Sequence, residues 1–167
     1  MAKKRIVVLI GNIGCGKSTI AHDYINNGYI AIARDFLRYA IGEGKYIFNR
    51  DYEPIMWKTE QFMLRKFLEK GVDIVVDEVG VSKKLRKGYI KLGKEFGYSI
   101  EAVVLPRLSM KEAVDRRMKD PHGQFDRELW ESVWTRFDKM YKDPTTEEGF
   151  NSIVRLKGGI NGSEILS

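Results

Sequence analysis

A glycine-rich segment near the start of the sequence has the residue types and spacing of a phosphate-binding loop. Residues 11–18 follow the pattern G-x-x-x-x-G-K-S, directly after the apolar run Arg5–Ile10. Such a loop places backbone N–H groups and a helix N-terminus against a polyphosphate, while its lysine reaches the β- and γ-phosphates and its serine binds Mg²⁺. The segment therefore predicts ATP and Mg²⁺ as ligands, with a chance glycine-rich turn as the alternative. The predicted nucleotide-binding residues are Gly11, Asn12, Ile13, Gly14, Cys15, Gly16, Lys17, Ser18 and Thr19, with Ser18 on the metal.

An acidic and a basic residue follow the second apolar run at a spacing that suits an acceptor site. Asp35 comes after residues 29–33, where a carboxylate can take the proton from an attacking hydroxyl as a general base. Arg38 lies three residues later, on the same side of any helical turn that begins there. Its planar fork suits a phosphate on the acceptor. An exposed Asp–Arg pair that caps a helix is the alternative.

A second pair of acids follows the apolar run of residues 72–76. Asp77 occupies the usual place of the magnesium-associated acid in a phosphate-loop enzyme. A loop or helix-capping aspartate is the alternative at this position. For Glu78, an ion pair with a nearby base is the alternative to a role in the site.

Residues 114–126 are predicted to form a lid over the phosphate site, because a basic helical segment is followed there by a break that contains proline and glycine. Arg116 is predicted to bring positive charge to the transferring phosphoryl group, a use that phosphoryl transfer has for a lid arginine. A solvated basic face is the alternative for Arg116 and its neighbours Arg117 and Lys119.

The alternation of apolar runs with helical periodicity indicates how these groups meet. It predicts an α/β fold of the P-loop NTPase or kinase type: a parallel five-stranded sheet with helices on both faces and a helical lid. Ligands of such sheets bind beyond the carboxyl ends of the strands. Strands are predicted at residues 5–10, 29–33, 72–76, 100–105 and 151–156, helices at 17–26, 51–70, 82–96, 109–119 and 126–141, and a frayed end at 158–167.

Composition sets the broad class. The 167 residues are predicted to form a single domain, and no apolar run approaches the length that spans a membrane. The single cysteine and the absence of a signal-peptide pattern fit a cytoplasmic location. A net charge of +6 favours an acidic partner, nucleic acid above all.

Two further sets of side chains have both a structural and a functional interpretation. Lys83, Lys87, Lys91 and Lys94 lie opposite the apolar face of one helix, and a solvated surface is favoured over phosphate contact. Trp57, Trp130 and Trp134 occupy helical positions, and burial in the core is favoured over stacking on bases.

Over nearly its whole length the chain resembles the kinase domain of phage- and animal-type 5′-hydroxyl polynucleotide kinases. Beyond the generic phosphate loop, the matches are Arg34-Asp35-x-x-Arg38, Val76-Asp77, Lys94-Glu95-Phe96-Gly97-Tyr98, the helix with Arg116, and Phe137 with Pro144-Thr145-x-Glu147-Glu148-Gly149-Phe150. The resemblance implies that Asp35 is the general base and that Arg38 holds an acceptor phosphate. It also implies that Asp77 belongs to the active-site network and that a lid arginine contacts the ATP phosphates.

Two features depart from that family. Its lid often carries a second arginine near the position of Asp120, where this sequence has an acid, so Arg116, Arg117 or Lys119 must supply the lid cation. Its frequent phosphatase partner carries an Asp-x-Asp-x-Thr motif that this sequence lacks. The resemblance implies an ATP-dependent kinase of a nucleic-acid hydroxyl, most simply the 5′-OH of DNA or RNA. Kinases of hydroxymethyl groups on DNA bases share the fold. A nucleoside or nucleotide kinase and a non-catalytic NTP-binding module are two further candidate functions.

We expect Lys17→Ala to abolish phosphoryl transfer while the fold persists, because the ammonium acts on the transferred phosphate more than on packing. Circular dichroism would report the fold, and transfer from γ-labelled ATP would report the activity. Lys87→Ala, on the predicted solvated face, is the control and should behave as the unmodified protein. Full activity in a folded Lys17→Ala variant would rule out the kinase interpretation.

Overall fold

The computed structural model describes residues 2–158, and within them five parallel strands form one sheet. The strand order is β2-β3-β1-β4-β5, so β1 lies at the centre and β5 at an edge. This confirms the predicted α/β class, the parallel sheet and the edge position of the last strand. The strands are β1 (Arg5–Ile10), β2 (Ile30–Ile32), β3 (Ile74–Val76), β4 (Ser99–Val104) and β5 (Ser152–Arg155).

Three of the helices begin directly after a residue whose side chain caps the first turn. The side chains of Ser82, Ser109 and Asp126 each accept a hydrogen bond from a backbone N–H in the first turn of the helix that follows. The helices are α1 (Lys17–Asn26), α2 (Arg34–Ala40), α3 (Glu53–Glu69), α4 (Lys83–Glu95), α5 (Met110–Lys119) and α6 (Arg127–Met140), with a 3-10 turn at Thr146–Glu148. The sequence predicted α2 only as a possible turn. Of the predicted frayed end, residues 159–167 lie outside the described residues.

The two faces of the sheet are covered by different helices, as predicted. Along β1, Val7 and Leu9 point to one face and pack in a cluster with Ile20 and Tyr24 of α1. The alternate β1 residues Ile6, Val8 and Ile10 belong to a second cluster that contains Leu64 and Leu68 of α3 and Tyr89 and Leu92 of α4. From Ile6 to Ile10 the β1 side chains are almost fully buried on both faces, which explains why this part of the strand is a continuous apolar run.

Three strand ends deliver the candidate residues to one edge of the sheet. The chain leaves β1 into the phosphate loop, leaves β2 into α2, and leaves β3 at Asp77. Backbone hydrogen bonds join these exits, from Asp77 N to the Ile32 carbonyl oxygen (2.9 Å) and from Gly11 N to the Val79 carbonyl oxygen (3.2 Å). The loop, Asp35 and Asp77 are therefore held beside one another.

A buried ion pair that the sequence did not predict fixes the chain behind this edge. Arg86 of α4 has no exposed surface, and its Nη2 and Nε donate to the two carboxylate oxygens of Glu148 at 2.6 and 2.9 Å. Its Nη1 donates to the carbonyl oxygens of Gly80 (2.9 Å) and Lys142 (3.0 Å). Arg86 thus ties the segment after Asp77 to the segment after α6.

The exposure of the α4 lysines agrees with the prediction from the sequence, and the exposure of the tryptophans does not. The four lysines of the α4 stripe are all exposed, as predicted for a solvated face. The prediction that the tryptophans are core is wrong: Trp57 is 49% exposed, and Trp130 and Trp134 are only partly buried. In the described part of the chain, no helix is long and apolar enough to cross a membrane.

We expect Arg86→Leu to lower the free energy of unfolding by about 3–5 kcal/mol, because it leaves the buried Glu148 carboxylate without its partner. Urea unfolding followed by circular dichroism would measure the change. Lys87→Leu, at the next position and exposed, is the matched control and should differ from the unmodified protein by only about 0.5 kcal/mol. An Arg86→Leu variant as stable as the Lys87→Leu variant would show that the pair contributes nothing.

Candidate active site

The phosphate loop has a backbone that only glycine permits at two positions. Gly14 and Gly16 have positive φ angles of 69° and 100°. A Cβ atom on Gly14 would also lie 2.1 Å from the carbonyl oxygen of Ala113, so a side chain there would collide with α5. α1 begins at Lys17, and no side chain caps its first turn, so its N-terminal N–H groups are left for an anion.

The predicted magnesium ligands lie together. Ser18 Oγ donates to Asp77 Oδ2 at 3.0 Å, although the two residues follow different strands. Burial raises the pKa of Asp77, against the charge of Lys17 and the hydrogen bond from Ser18. No cluster of three His, Cys, Asp or Glu side chains suited to a metal occurs in residues 2–158. One hydroxyl and one carboxylate fit Mg²⁺, which takes few protein ligands and completes its shell with phosphate oxygens and water.

The remaining loop residues divide between two pockets. Gly14 and residues 16–19 line a large cleft, whereas Gly11, Asn12 and Cys15 line a smaller pocket with Trp134 of α6, and Ile13 lines both. The Asn12 side chain donates to the Trp134 carbonyl oxygen at 2.9 Å, and Lys17 Nζ donates to the Asn12 carbonyl oxygen at 2.8 Å. Asn12 therefore anchors the loop to α6.

Asp35 lies in the first turn of α2 and is held by two donors. Its Oδ1 atom accepts hydrogen bonds from Arg38 Nη1 at 2.6 Å and from Tyr46 Oη at 2.8 Å. Burial works to raise the pKa of this carboxyl, but the Tyr46 hydrogen bond and the charge of Arg38 outweigh it and lower the pKa below its usual value. Asp35 is therefore ionised at neutral pH, as a proton acceptor must be.

Arg38 is held from the opposite side by an acid on α3. Its Nε and Nη2 donate to Glu53 Oε1 and Oε2 at 3.0 and 2.5 Å, while Nη1 donates to Asp35 and, at 3.2 Å, to Tyr46 Oη. These bonds use four of the five guanidinium N–H groups and leave one on Nη2. The pair does not cap the helix, because Ala33 precedes it. The Arg38 side chain is only 12% exposed and the Asp35 side chain 44% exposed, and both line the cleft.

Glu78 has the ion pair that the sequence left as its alternative. It accepts from Arg34 N at 2.6 Å and from Arg34 Nη2 at 2.9 Å. Behind it lies Glu60 of α3, a buried acid that the sequence did not reveal, which accepts from Tyr89 Oη at 2.9 Å. Burial, together with the charge of Glu78, raises the pKa of Glu60. Glu78 thus helps to fix Arg34 at the start of α2.

The lid arginines have different surroundings. Arg116 lines the cleft, is exposed, and forms no hydrogen bond or ion pair within the described residues, as is also the case for Arg136 of α6. Arg117 instead places Nη1 at 2.7 Å from His122 Nε2 and its guanidinium carbon at 5.0 Å from the Trp130 ring centroid. Of the two neighbouring arginines, Arg116 is the one available to a phosphate in the cleft.

His122, which the sequence analysis did not select, docks the lid onto α2. An arginine can only donate, so His122 Nε2 accepts from Arg117 and the ring proton lies on Nδ1, 2.5 Å from Tyr39 Oη. Burial lowers the pKa of His122, which agrees with the neutral ring that these bonds require. Arg117 and Tyr39 are therefore joined on one side of the cleft through a histidine in a short Pro-His-Gly break.

The cleft encloses about 820 Å³ and brings together the phosphate loop, Asp35, Arg38, Asp77 and the lid. A parallel sheet in the order 2-3-1-4-5 with a phosphate loop after its central strand is the fold of a P-loop kinase. The sequence profile of the AAA_33 family, described as an AAA domain, matches residues 6–143. The chain belongs to this family.

Solved structures with the same fold include both RNA-directed and small-molecule kinases. A chain of the Pnkp1/Rnl/Hen1 RNA repair complex has a TM-score of 0.64 at 19% identity over 84% of this chain and 46% of its own length. A fungal RNA kinase has a TM-score of 0.61 at 21% identity, over 94% of this chain and 39% of its own length. The APS kinase CysC of Mycobacterium tuberculosis has a TM-score of 0.65 at 14% identity, over 99% of this chain and 97% of its own length.

These similarities establish the fold alone. The chain spans less than half the length of the RNA repair and fungal RNA kinase chains, and nearly the whole of the APS kinase. A comparison with curated proteins finds no match.

We expect Arg116→Ala to slow ATP-dependent phosphoryl transfer by at least about tenfold, because it removes the lid cation that is available to the phosphates. Steady-state kinetics with varied ATP would measure the loss. Lys119→Ala on the same helix removes an equal charge and is the control, with activity expected to stay within about twofold of the unmodified protein. Equal losses in both variants would mean that only the net charge of the lid matters.

Proposed function

We propose that this protein is an ATP-dependent kinase that transfers the γ-phosphate to a hydroxyl of nucleic acid, most simply the 5′-OH of DNA or RNA. The observation that carries the proposal is the fixed, ionised Asp35 with Arg38 in the same cleft as the phosphate loop. A module that only binds nucleotide has no use for a proton acceptor held in this position.

The chain's own groups divide the work of the reaction. Asp35 takes the proton of the acceptor hydroxyl, while Lys17 and Arg116 offset the negative charge on the transferring phosphoryl group. Ser18 and Asp77 would hold Mg²⁺, which when bound neutralises phosphate charge and orients the β- and γ-oxygens. Because little covalent chemistry is needed from the protein, fixed positions are the main contribution of these residues.

Three observations favour nucleic acid as the acceptor. The N–H that remains on Arg38 Nη2 is available to an acceptor phosphate. Phe48 lines the same cleft with its side chain 56% exposed and its ring centroid 5.6 Å from the Arg38 guanidinium carbon, which suits stacking with an unpaired base. The net charge of +6 attracts a polyanion.

A small-molecule kinase is the second candidate. It is supported by the similar length of the APS kinase chain, of which this chain covers 97%, and by a cleft volume that falls within the range of small-ligand sites. Competition between an oligonucleotide and a free nucleoside or nucleotide as acceptors distinguishes the two candidates. A hydroxymethyl group on a DNA base would use the same cleft residues, and an acceptor panel that includes such a duplex tests it.

We expect Asp35→Asn and Arg38→Ala to fail in different ways. Asp35→Asn keeps the shape and removes the basicity, so kcat should fall by roughly 10²–10⁴-fold with little change in the acceptor KM. The low end of that range is expected, because a loose transition state needs less help from a base. Arg38→Ala should harm phosphate-bearing acceptors far more than a nucleoside without phosphate.

Steady-state kinetics on both acceptor types at saturating ATP make this comparison. Arg50→Ala, at an exposed arginine in the segment between α2 and α3, is the control. Equal losses for both acceptors in Arg38→Ala would assign Arg38 to ATP or to the fold. Normal kcat in Asp35→Asn would show that Asp35 is not the general base.

A further inference from the structure

Tyr46 belongs to the segment between α2 and α3, and its hydroxyl contacts the carboxylate that the proposed reaction uses. Tyr46 Oη donates to Asp35 Oδ1 at 2.8 Å and accepts from Arg38 Nη1 at 3.2 Å. Arg38 Nη1 also donates to Asp35 Oδ1 at 2.6 Å. The three groups form a closed triangle in which one carboxylate oxygen receives both hydrogen bonds.

The direction of the Tyr46 hydroxyl is set by its neighbours. The Tyr46 ring stacks on His122 of the lid at 4.6 Å between centroids with an angle of 12°, and it meets Tyr39 of α2 edge-on at 5.1 Å. The next residue, Ile47, donates its backbone N–H to the Arg38 carbonyl oxygen at 3.2 Å. Aromatic contacts and a backbone anchor therefore fix Tyr46 in relation to α2.

The other carboxylate oxygen of Asp35 has a different environment. Oδ2 accepts no hydrogen bond in the described part of the chain, and His122 Nε2 lies 3.8 Å from it. The lone pair of that nitrogen accepts from Arg117, so the neutral ring has no proton to give to Oδ2. Asp35 thus has one oxygen occupied and one oxygen available for a proton.

We propose that Tyr46 is a positioning residue that, with Arg38, occupies Oδ1 of Asp35 and so assigns proton transfer to Oδ2; this rests on the proposed function. In the step, the acceptor oxygen forms a bond to the γ-phosphorus while its proton passes to Oδ2. The bond from the γ-phosphorus to the β–γ bridging oxygen breaks, and ADP leaves with that electron pair. Because two hydrogen bonds to Oδ1 prevent the Asp35 carboxylate from rotating, Oδ2 faces each acceptor hydroxyl. The reacting atoms then stay in a geometry that favours the reaction.

The charges around Asp35 determine what removing this hydroxyl would do. Arg38 from α2 and Tyr46 from the connecting segment favour the ionised form, and Asp77 across the cleft repels it. His122 from the lid favours the ionised form only when its ring is protonated. A hydrogen bond to the charged form lowers a pKa, so its loss raises the pKa of Asp35. Asp35 acts as a base only when it is ionised, so activity is lost as the pH falls through its pKa. With a raised pKa, this acid-side loss of activity would begin at a higher pH.

Tyr46→Phe is the direct test, because it removes only the hydroxyl and keeps the ring that packs on His122 and Tyr39. We expect the acid limb of kcat/KM to move up by about one pH unit, equal to a tenfold change in proton affinity. We also expect kcat to fall by about tenfold with little change in acceptor KM. Tyr52→Phe, on an exposed tyrosine outside the cleft, is the control and should leave the profile unchanged.

A second measurement does not depend on activity. Titration of the Asp35 carboxyl by ¹³C NMR in the protein without ATP should show the same upward shift in Tyr46→Phe, with thermal unfolding confirming that both variants are folded. An unchanged titration would overturn the Tyr46 inference whether or not an acceptor is phosphorylated. A raised acceptor KM with an unchanged acid limb would also overturn it, because Tyr46 would then serve acceptor binding. Failure of every acceptor, with the titration shifted, would count against the proposed function alone.

Discussion

The parallel pairing of β1 with β3, and of β3 with β2, determines where each charged group of the candidate site lies. In this register Val8 is opposite Val76, and Val76 is opposite Ile32, so β2 and β3 end at the same level and β1 continues two residues further, to Ile10. The phosphate loop, Asp35 and Asp77 each begin within a few residues of those ends. An apolar sheet that is buried on both faces thereby supports a polar edge at which a ligand can bind.

Gathering several carboxylates at one edge is costly unless they have partners, and the structure supplies partners to four of the acids there. Glu78 is bonded to Arg34, Glu53 to Arg38, Asp35 to Arg38 and Tyr46, and Asp77 to Ser18. The partners come from α1, α2 and the segment after α2, so the charges also connect these elements with α3. Groups fixed in this way need little reorganisation when a phosphate arrives, which is the main way that a protein stabilises phosphoryl transfer.

The sequence predicts features that are encoded in one continuous stretch of residues better than features that depend on tertiary contacts. The bounds of β1 and α1 and the phosphate loop follow from one continuous stretch, in which apolar run, glycines and helix are adjacent. His122 and Arg86 were missed because their roles arise from distant contacts: His122 meets Tyr39 across 83 positions, and Arg86 meets Glu148 across 62. Tyr46 is only 11 positions from Asp35, but it lies in a segment without helix or strand, whose path no periodic pattern predicts. The tryptophans were placed wrongly because helical spacing does not say which face of a helix meets the core and which meets a cleft.

We propose that this protein, which has the fold of a P-loop kinase, phosphorylates a hydroxyl of nucleic acid. The most direct measurement incubates the protein with γ-labelled ATP and Mg²⁺ and a panel of acceptors: 5′-OH DNA, 5′-OH RNA, duplex DNA with hydroxymethylated bases, and free nucleosides and nucleotides. We expect label on a 5′-OH oligonucleotide, with 5′-phosphorylated oligonucleotides of the same sequence unlabelled. Label on a free nucleoside or nucleotide, with none on any oligonucleotide, would contradict it.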